Sequence, residues 1–129
     1  KAGSCNVIEL HGSVLRNYCE RCHKFYGIDK IIDSEGVPMC ECGGRIKPDV
    51  VLYEEGLDDN NITNAVNYIR HADMLIIGGT SLGVYPAAGL IDYYSGDKLV
   101  LINKSATPYD SRADILINGP LADVFRNFI

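Results

Sequence analysis

The 129-residue chain has no apolar run near the ~20 residues that span a bilayer. Its opening, Lys-Ala-Gly-Ser-Cys-Asn-Val, does not read as a secretory signal. Membrane insertion is therefore not expected. A basic excess is also missing: 12 Lys and Arg stand against 17 Asp and Glu, a formal charge of −5. Direct nucleic-acid binding needs a basic face and is not expected either. Internal repeats and low-complexity tracts are absent. So is the G-x-G-x-x-G turn that receives the pyrophosphate in a dinucleotide-binding α/β domain; "GGTSLG" has glycines at another spacing. Histidine is scarce, with three in the chain.

Cysteine is the unusual presence. Of five, Cys5 stands apart and four cluster as Cys19-x-x-Cys22 and Cys40-x-Cys42. An odd count with paired spacing reads as a metal site plus a spare thiol, not a disulfide framework. Two thiolate pairs joined by a long excursion can close a tetrahedron on Zn²⁺, and Gly43-Gly44 lets the chain turn around it. Four protein thiolates leave no position for water, so the zinc is expected to be structural. His23, next to Cys22, is a competing ligand that a full thiolate set makes unnecessary. Zinc thiolates imply a reducing compartment, so a cytoplasmic or nuclear protein is expected, and cytoplasmic is taken as the reading.

Along the chain, a loop and an extended piece reach Leu10, and residues 13–18 continue as a strand. Residues 19–45 hold the cysteines and little core. "DVVLY" (49–53) reads as a strand and residues 58–73 as a helix, with Ile62, Val66 and Ile69 at helical spacing. "MLIIGGTS", "KLVLIN" and "ADILIN" each supply an apolar strand. A helix follows Pro86, with Ala87, Leu90, Ile91 and Tyr94 on one face and Gly96 as its stop. Another closes the chain, with Leu121, Val124, Phe125 and Phe128 on one side. Strands apolar on both faces, alternating with amphipathic helices, indicate a parallel sheet covered by helices. The expected fold is thus α/β: part of a Rossmann-like parallel sheet with flanking helices, in a partial Rossmann-like domain of residues 1–18 and 46–129, with an inserted zinc-binding module at 19–45.

Several short stretches carry chemistry weakly when taken singly. His11 beside Gly12 is, alone, more often structural than catalytic. Gly79-Thr80-Ser81 and Asn103 end apolar strands, where open α/β sheets bind ligands, but each also serves as an ordinary turn. Tyr53-Glu54-Glu55 reads alone as a solvated edge.

In order, however, "ELHGSV", the two cysteine pairs, "KPDVVLYEE", "GGTSLGVYPAAGL" and "LINKSATPYD" resemble the sirtuins, NAD-dependent protein lysine deacylases, over essentially the whole chain. The resemblance implies an enzyme that moves an acyl group from lysine to ADP-ribose and releases nicotinamide. It assigns His11 as the general base toward the ribose hydroxyls, a task suited to an imidazole near its own pKa. It assigns Gly79, Thr80, Ser81, Asn103, Lys104 and Leu121 to NAD. It gives Val51 to the acyl-lysine tunnel, and Tyr53, Glu54, Glu55, Gly83, Val84 and Tyr85 to the edges that take the substrate peptide as an added strand. Where the family more often has Phe-Gly-Glu, this chain has Tyr53-Glu54-Glu55, and Glu54 is expected to favour basic residues beside the target lysine.

The family's Gly-Ala-Gly phosphate loop and Thr-Gln-Asn-Ile-Asp strand are not in this sequence. The 129 residues by themselves are therefore expected to lack deacylase activity that a longer parent has. Mono-ADP-ribosyl transfer within the same family is the nearer alternative, and a non-enzymatic zinc-ribbon module the more distant one. A zinc ribbon would account for the cysteines but not for "GGTS" and "LIN".

Overall fold

The computed structural model describes residues 3–126. Phe128, expected on the apolar side of the closing helix, lies outside them. The chain forms two compact units, residues 1–61 and 62–129.

The first unit is built on a three-stranded antiparallel sheet in the order β2-β1-β3, with β1 Gly12–Cys19, β2 Phe25–Gly27 and β3 Ile46–Val50. A single helical turn, α1 (Ile28–Ile32), follows β2. The β1–β3 register runs Ser13 opposite Asp49 and then Asn17 opposite Pro48, so residues 14–16 are thrown out as a bulge. Asn17 spans the irregularity: its amide donates to the Val14 carbonyl at 3.1 Å. Pro48, which has no N–H to give, is tolerated because β3 is an edge strand and the bulge lies opposite. The buried apolar residues here are Cys19, Cys40 and Ile46. Two expectations shift. Residues 3–9 form no strand, and the strand expected at 49–53 lies at 46–50. The Val51 N–H still reaches the His11 carbonyl (3.1 Å), but β1 begins at Gly12 and offers nothing beyond. The chain then turns, and the Glu55 carboxylate takes the Leu52 N–H at 2.9 Å.

The second unit is a parallel sheet, β4 (Leu75–Gly78), β5 (Leu99–Asn103) and β6 (Ile115–Asn118), in that spatial order. The central strand is buried on both faces, from Leu99 to Ile102, which is why it reads as an unbroken apolar run. Helix α2 (Asp59–Arg70) starts where the Asp58 carboxylate accepts the Asn61 N–H at 2.8 Å, and its stripe of Ile62, Ala65, Val66 and Ile69 is partly or fully buried. Ile69 packs with Ile91, Tyr94 and Leu99. The segment after Pro86 is a 3₁₀ helix, Ala87–Tyr93, not an α-helix. A second short 3₁₀ turn, Asp110–Arg112, joins β5 to β6, and α3 (Leu121–Arg126) follows β6. The architecture is the expected parallel sheet with flanking helices and a four-cysteine module. Among the described residues, no helix is long and apolar enough to cross a membrane.

Candidate active site and metal centre

The metal centre is the most sharply built feature of the first unit. Cys19, Cys22, Cys40 and Cys42 bring their four sulfurs within 4.8 Å of one another. The pairs interleave: Cys19 meets Cys42 at 3.5 Å and Cys22 meets Cys40 at 3.6 Å. These separations far exceed an S–S bond of about 2.05 Å. They approach the ~3.8 Å edge of a tetrahedron with Zn–S bonds of about 2.3 Å. Each pair sits in a tight turn. The Arg21 and Cys22 N–H groups point at the Cys19 sulfur, at 3.3 and 3.5 Å. On the other side, Gly43 N–H bonds the Cys40 carbonyl and Cys40 N–H the Gly44 carbonyl.

Sulfurs this close cannot all ionise alone. Hydrogen bonds from the Tyr26 hydroxyl and then the Cys42 N–H bring the Cys40 thiol down to about 6. The Gly44 N–H favours a Cys42 thiolate, yet the three neighbouring sulfurs and burial push Cys42 up to about 12. A divalent cation at the centre removes that conflict by neutralising charge on every sulfur. Donor set, spacing and electrostatics therefore fit Zn²⁺ held by four thiolates. His23 is exposed, with a left-handed backbone (φ 58°), and is not part of the cluster.

His11 stands at the mouth of β1, in a turn closed by the Gly12 N–H on the Glu9 carbonyl at 3.0 Å. It lies just ahead of β1, and its side chain is exposed. Gly12 is required there. Its φ is +72°, and a Cβ would lie 1.9 Å from the Asp49 carbonyl oxygen. Arg16 ties the same turn to β3, donating to Glu9 at 2.7 Å and to Asp49 at 2.9 Å. With the His11 carbonyl bonded to the Val51 N–H, His11 and Val51 are adjacent across the end of the sheet. Arg16 and Asp49 went unremarked in the sequence because a charged pair 33 positions apart has no local signature.

Val51 and Glu55 line one cavity of about 270 Å³, together with Tyr18, His23, Lys47 and Asp49. Glu55 is held by the Leu52 N–H first and by Lys47 at 3.0 Å, which together draw its carboxyl below the ordinary range. Tyr53 projects fully into solvent. Glu54 is exposed, adopts a left-handed backbone (φ 69°) and makes no hydrogen bond or ion pair among the described residues.

In the second unit, the carboxyl ends of the parallel strands gather Gly79, Asn103 and Leu121. The Gly79 N–H donates to the Ile102 carbonyl and the Gly119 N–H to the Asn103 carbonyl, both at 3.0 Å. Leu121 folds over the end of β4 so closely that a Cβ on Gly78 would be 2.5 Å from its Cδ1. Thr80 accepts the Leu82 N–H at 3.2 Å, so its own O–H remains to donate. Asn103 turns its amide onto the Ser105 carbonyl at 2.9 Å. Ser81, Gly83, Val84, Tyr85 and Lys104 are exposed. The Tyr85 hydroxyl meets that of Tyr109 at 2.8 Å, and the Arg112 guanidinium lies 5.4 Å from the Tyr109 ring centroid. This tether of residues 83–85 to the loop after β5 was not foreseen.

The Sir2 family model matches residues 1–86. NAD-dependent protein deacetylases of Clostridium perfringens and Clostridium tetani are 63% and 58% identical over 99% of this chain and 53% of their own length. The chain thus spans about half the length of the curated relatives it matches. Among solved structures, a complex of Sir2 with p53 peptide and NAD⁺ superposes with a TM-score of 0.88 at 39% identity, covering 98% of this chain and 55% of that one. Sir2 bound to acetylated peptide gives 0.88 at 38%, over 98% and 56%. With the family model matched to residues 1–86, two-thirds of this chain, and relatives this similar along nearly all of it, the chain belongs to the Sir2 family.

Proposed function

We propose that this chain is the zinc-bearing part of an NAD-dependent protein lysine deacetylase that acts in the cytoplasm on acyl-lysine peptides. The observation that carries the reading is the pinning of His11 against Val51 by the Val51 N–H···O=C bond. That bond pairs the backbones of the two residues, and the exposed His11 side chain supports its reading as the base next to the residue assigned to the acyl-lysine. The crevice at the carboxyl ends of β4 and β5 supports the cofactor half, since open α/β sheets bind nucleotides there. When bound, NAD supplies an electrophilic ribose carbon with nicotinamide as leaving group. His11 takes a proton from a ribose hydroxyl at its imidazole nitrogen. Thr80 and Ser81 donate to cofactor oxygens, Asn103 and Lys104 hold the adenosine ribose, and Leu121 covers the adenine side of Gly79. Backbone of 53–55 and 83–85 orients the peptide as an added strand. Residues 1–18 and 46–129 act as the NAD-binding part, and 19–45 as the zinc module that buttresses β1 and β3.

The test uses the full-length parent with an acetyl-lysine peptide, following nicotinamide and deacetylated peptide together. Stoichiometric release of both is expected, and His11→Ala is expected to lower kcat/KM at least 100-fold, in the range of a lost general base. Nicotinamide release with no deacetylated product would overturn the reading. The 129 residues alone, without the family's phosphate-loop motif, are expected to give no turnover.

Glu54 sets peptide preference in this reading. Glu55 is occupied by Lys47 and Leu52, which leaves the Glu54 carboxylate for the substrate. Glu54→Lys is expected to turn a preference for basic flanking residues into one for acidic residues, a change of about tenfold in relative kcat/KM for one rim charge reversed. An unchanged preference would remove Glu54 from the specificity account.

A further inference from the structure

The four sulfurs have unequal surroundings. Cys19 accepts backbone N–H groups supplied by its own turn. Among the described residues, only Cys40 also receives a side-chain hydroxyl: Tyr26 Oη lies 3.0 Å from its Sγ. That distance is short for an O–H···S contact, and the hydroxyl is the donor.

Tyr26 is held in place from several directions. It lies on β2 opposite Asn17, whose amide reaches the Tyr26 carbonyl at 3.4 Å. Its ring is half-buried against the Cys19, Cys40 and Ile46 cluster. The Lys24 ammonium sits 5.5 Å from the ring centroid and pairs at 2.8 Å with Glu41, the residue between Cys40 and Cys42. A side chain fixed by strand pairing, apolar packing and a cation delivers its hydroxyl to one place. Four thiolates around one Zn²⁺ leave a net charge of −2, so a hydrogen bond that draws density from one sulfur reduces repulsion among them.

We propose that Tyr26 is a positioning residue of the metal centre: its O–H donates to metal-bound Cys40, orients that sulfur toward the ion and slows metal loss. The proposal rests on the four-thiolate reading of the cluster and is independent of the deacetylase reading.

The experiment compares the full 129-residue chain with Tyr26→Phe and Tyr26→Leu, each loaded with zinc and, separately, with Co²⁺. Phe keeps the ring, its packing and the Lys24 contact, and removes only the hydroxyl. Competition with a chromophoric chelator at fixed pH should show a 10–100-fold loss of zinc affinity in Tyr26→Phe, the usual effect of removing an outer-shell partner. The sulfur-to-cobalt charge-transfer band should move to longer wavelength as the Cys40 sulfur loses its donor. Site-specific 3-fluorotyrosine at position 26, a stronger donor, should move it the other way and covers the case in which Tyr26→Phe folds poorly. Tyr26→Phe matching the unaltered chain in affinity and spectrum, with only Tyr26→Leu weakened, would reduce Tyr26 to packing and overturn the proposal. An unaltered chain that binds no metal, or binds Co²⁺ without a tetrathiolate spectrum, would overturn the four-thiolate reading and the proposal with it.

Discussion

The two units of this chain solve the same problem with different materials. Residues 62–126 contain nine of the buried apolar residues, among them Ile91, Leu99, Leu101 and Ile102, and hold a parallel sheet by burial. Residues 3–61 contain three, of which two are metal-site cysteines. Five ion pairs accompany them, all joining residues at least partly exposed. Exposed pairs are worth little individually, about 0–1 kcal/mol each. A unit with so little core therefore takes its cohesion from the sulfur cluster, as small zinc modules do. The comparison also says which half tolerates what: the first is vulnerable to chelation and acid, the second to cavities.

The largest effect should come from metal removal. Structural zinc contributes on the order of 10–16 kcal/mol in small modules, more than any single side chain here. Chelation should abolish hydrogen-exchange protection in β1–β3 while the amides of β5 stay protected. Protection persisting in β1–β3 after the metal is gone would break the contrast between the units.

Next in size is Leu101→Ala. Leu101 is 1% exposed at the centre of the parallel sheet. Truncation should destabilise by about 2–5 kcal/mol, read from the denaturant midpoint of the second unit. Zinc should remain at one per chain. Loss of the metal in this variant would mean that the two units do not stand on separate supports.

The smallest effect lies in the acid limb of the first unit. Leu52 N–H and Lys47 hold the Glu55 carboxyl below its ordinary value of 4.5. A depressed folded value means that the contribution is complete above the ordinary value and disappears as pH falls through the folded one. Glu55→Gln should therefore flatten the decline in stability of the zinc-loaded chain below about pH 4.5. Glu55 is 42% exposed on its side chain, so 1 M salt should weaken the share that comes from Lys47 and leave the share from the Leu52 hydrogen bond. An unchanged acid limb at low salt would take this pair out of the account.

Much of the second unit was legible because its signals are local. "LVLIN" is apolar on both faces wherever it sits, and the spacing of Ile62, Val66 and Ile69 marks a helix from nearby residues. The boundary of β3 was not legible. Pairing with β1, which begins at Gly12, decides where that strand stops, and apolarity in "DVVLY" runs past that point. The segment after Pro86 has helical spacing and packs Ile91 and Tyr94 with Leu99, but it forms a 3₁₀ helix, which spacing alone does not distinguish from an α-helix. The cysteine ligands were legible from spacing alone, whereas Tyr26 was not, because its hydroxyl finds Cys40 only through the β1–β2 register.

The sequence by itself determined the inventory: four thiolates in two pairs, apolar strands for a parallel sheet, and a histidine in the Sir2 family's order of motifs. These are properties of residue type and short-range spacing, and they survive any particular packing. The tertiary structure decided which groups meet. Only strand pairing sets His11 against Val51, brings Asp49 so near that position 12 must be glycine, and carries the Tyr26 hydroxyl to the Cys40 sulfur. Contacts between residues 14 to 40 positions apart depend on register, and a shift of one residue in a strand turns every side chain to the other face.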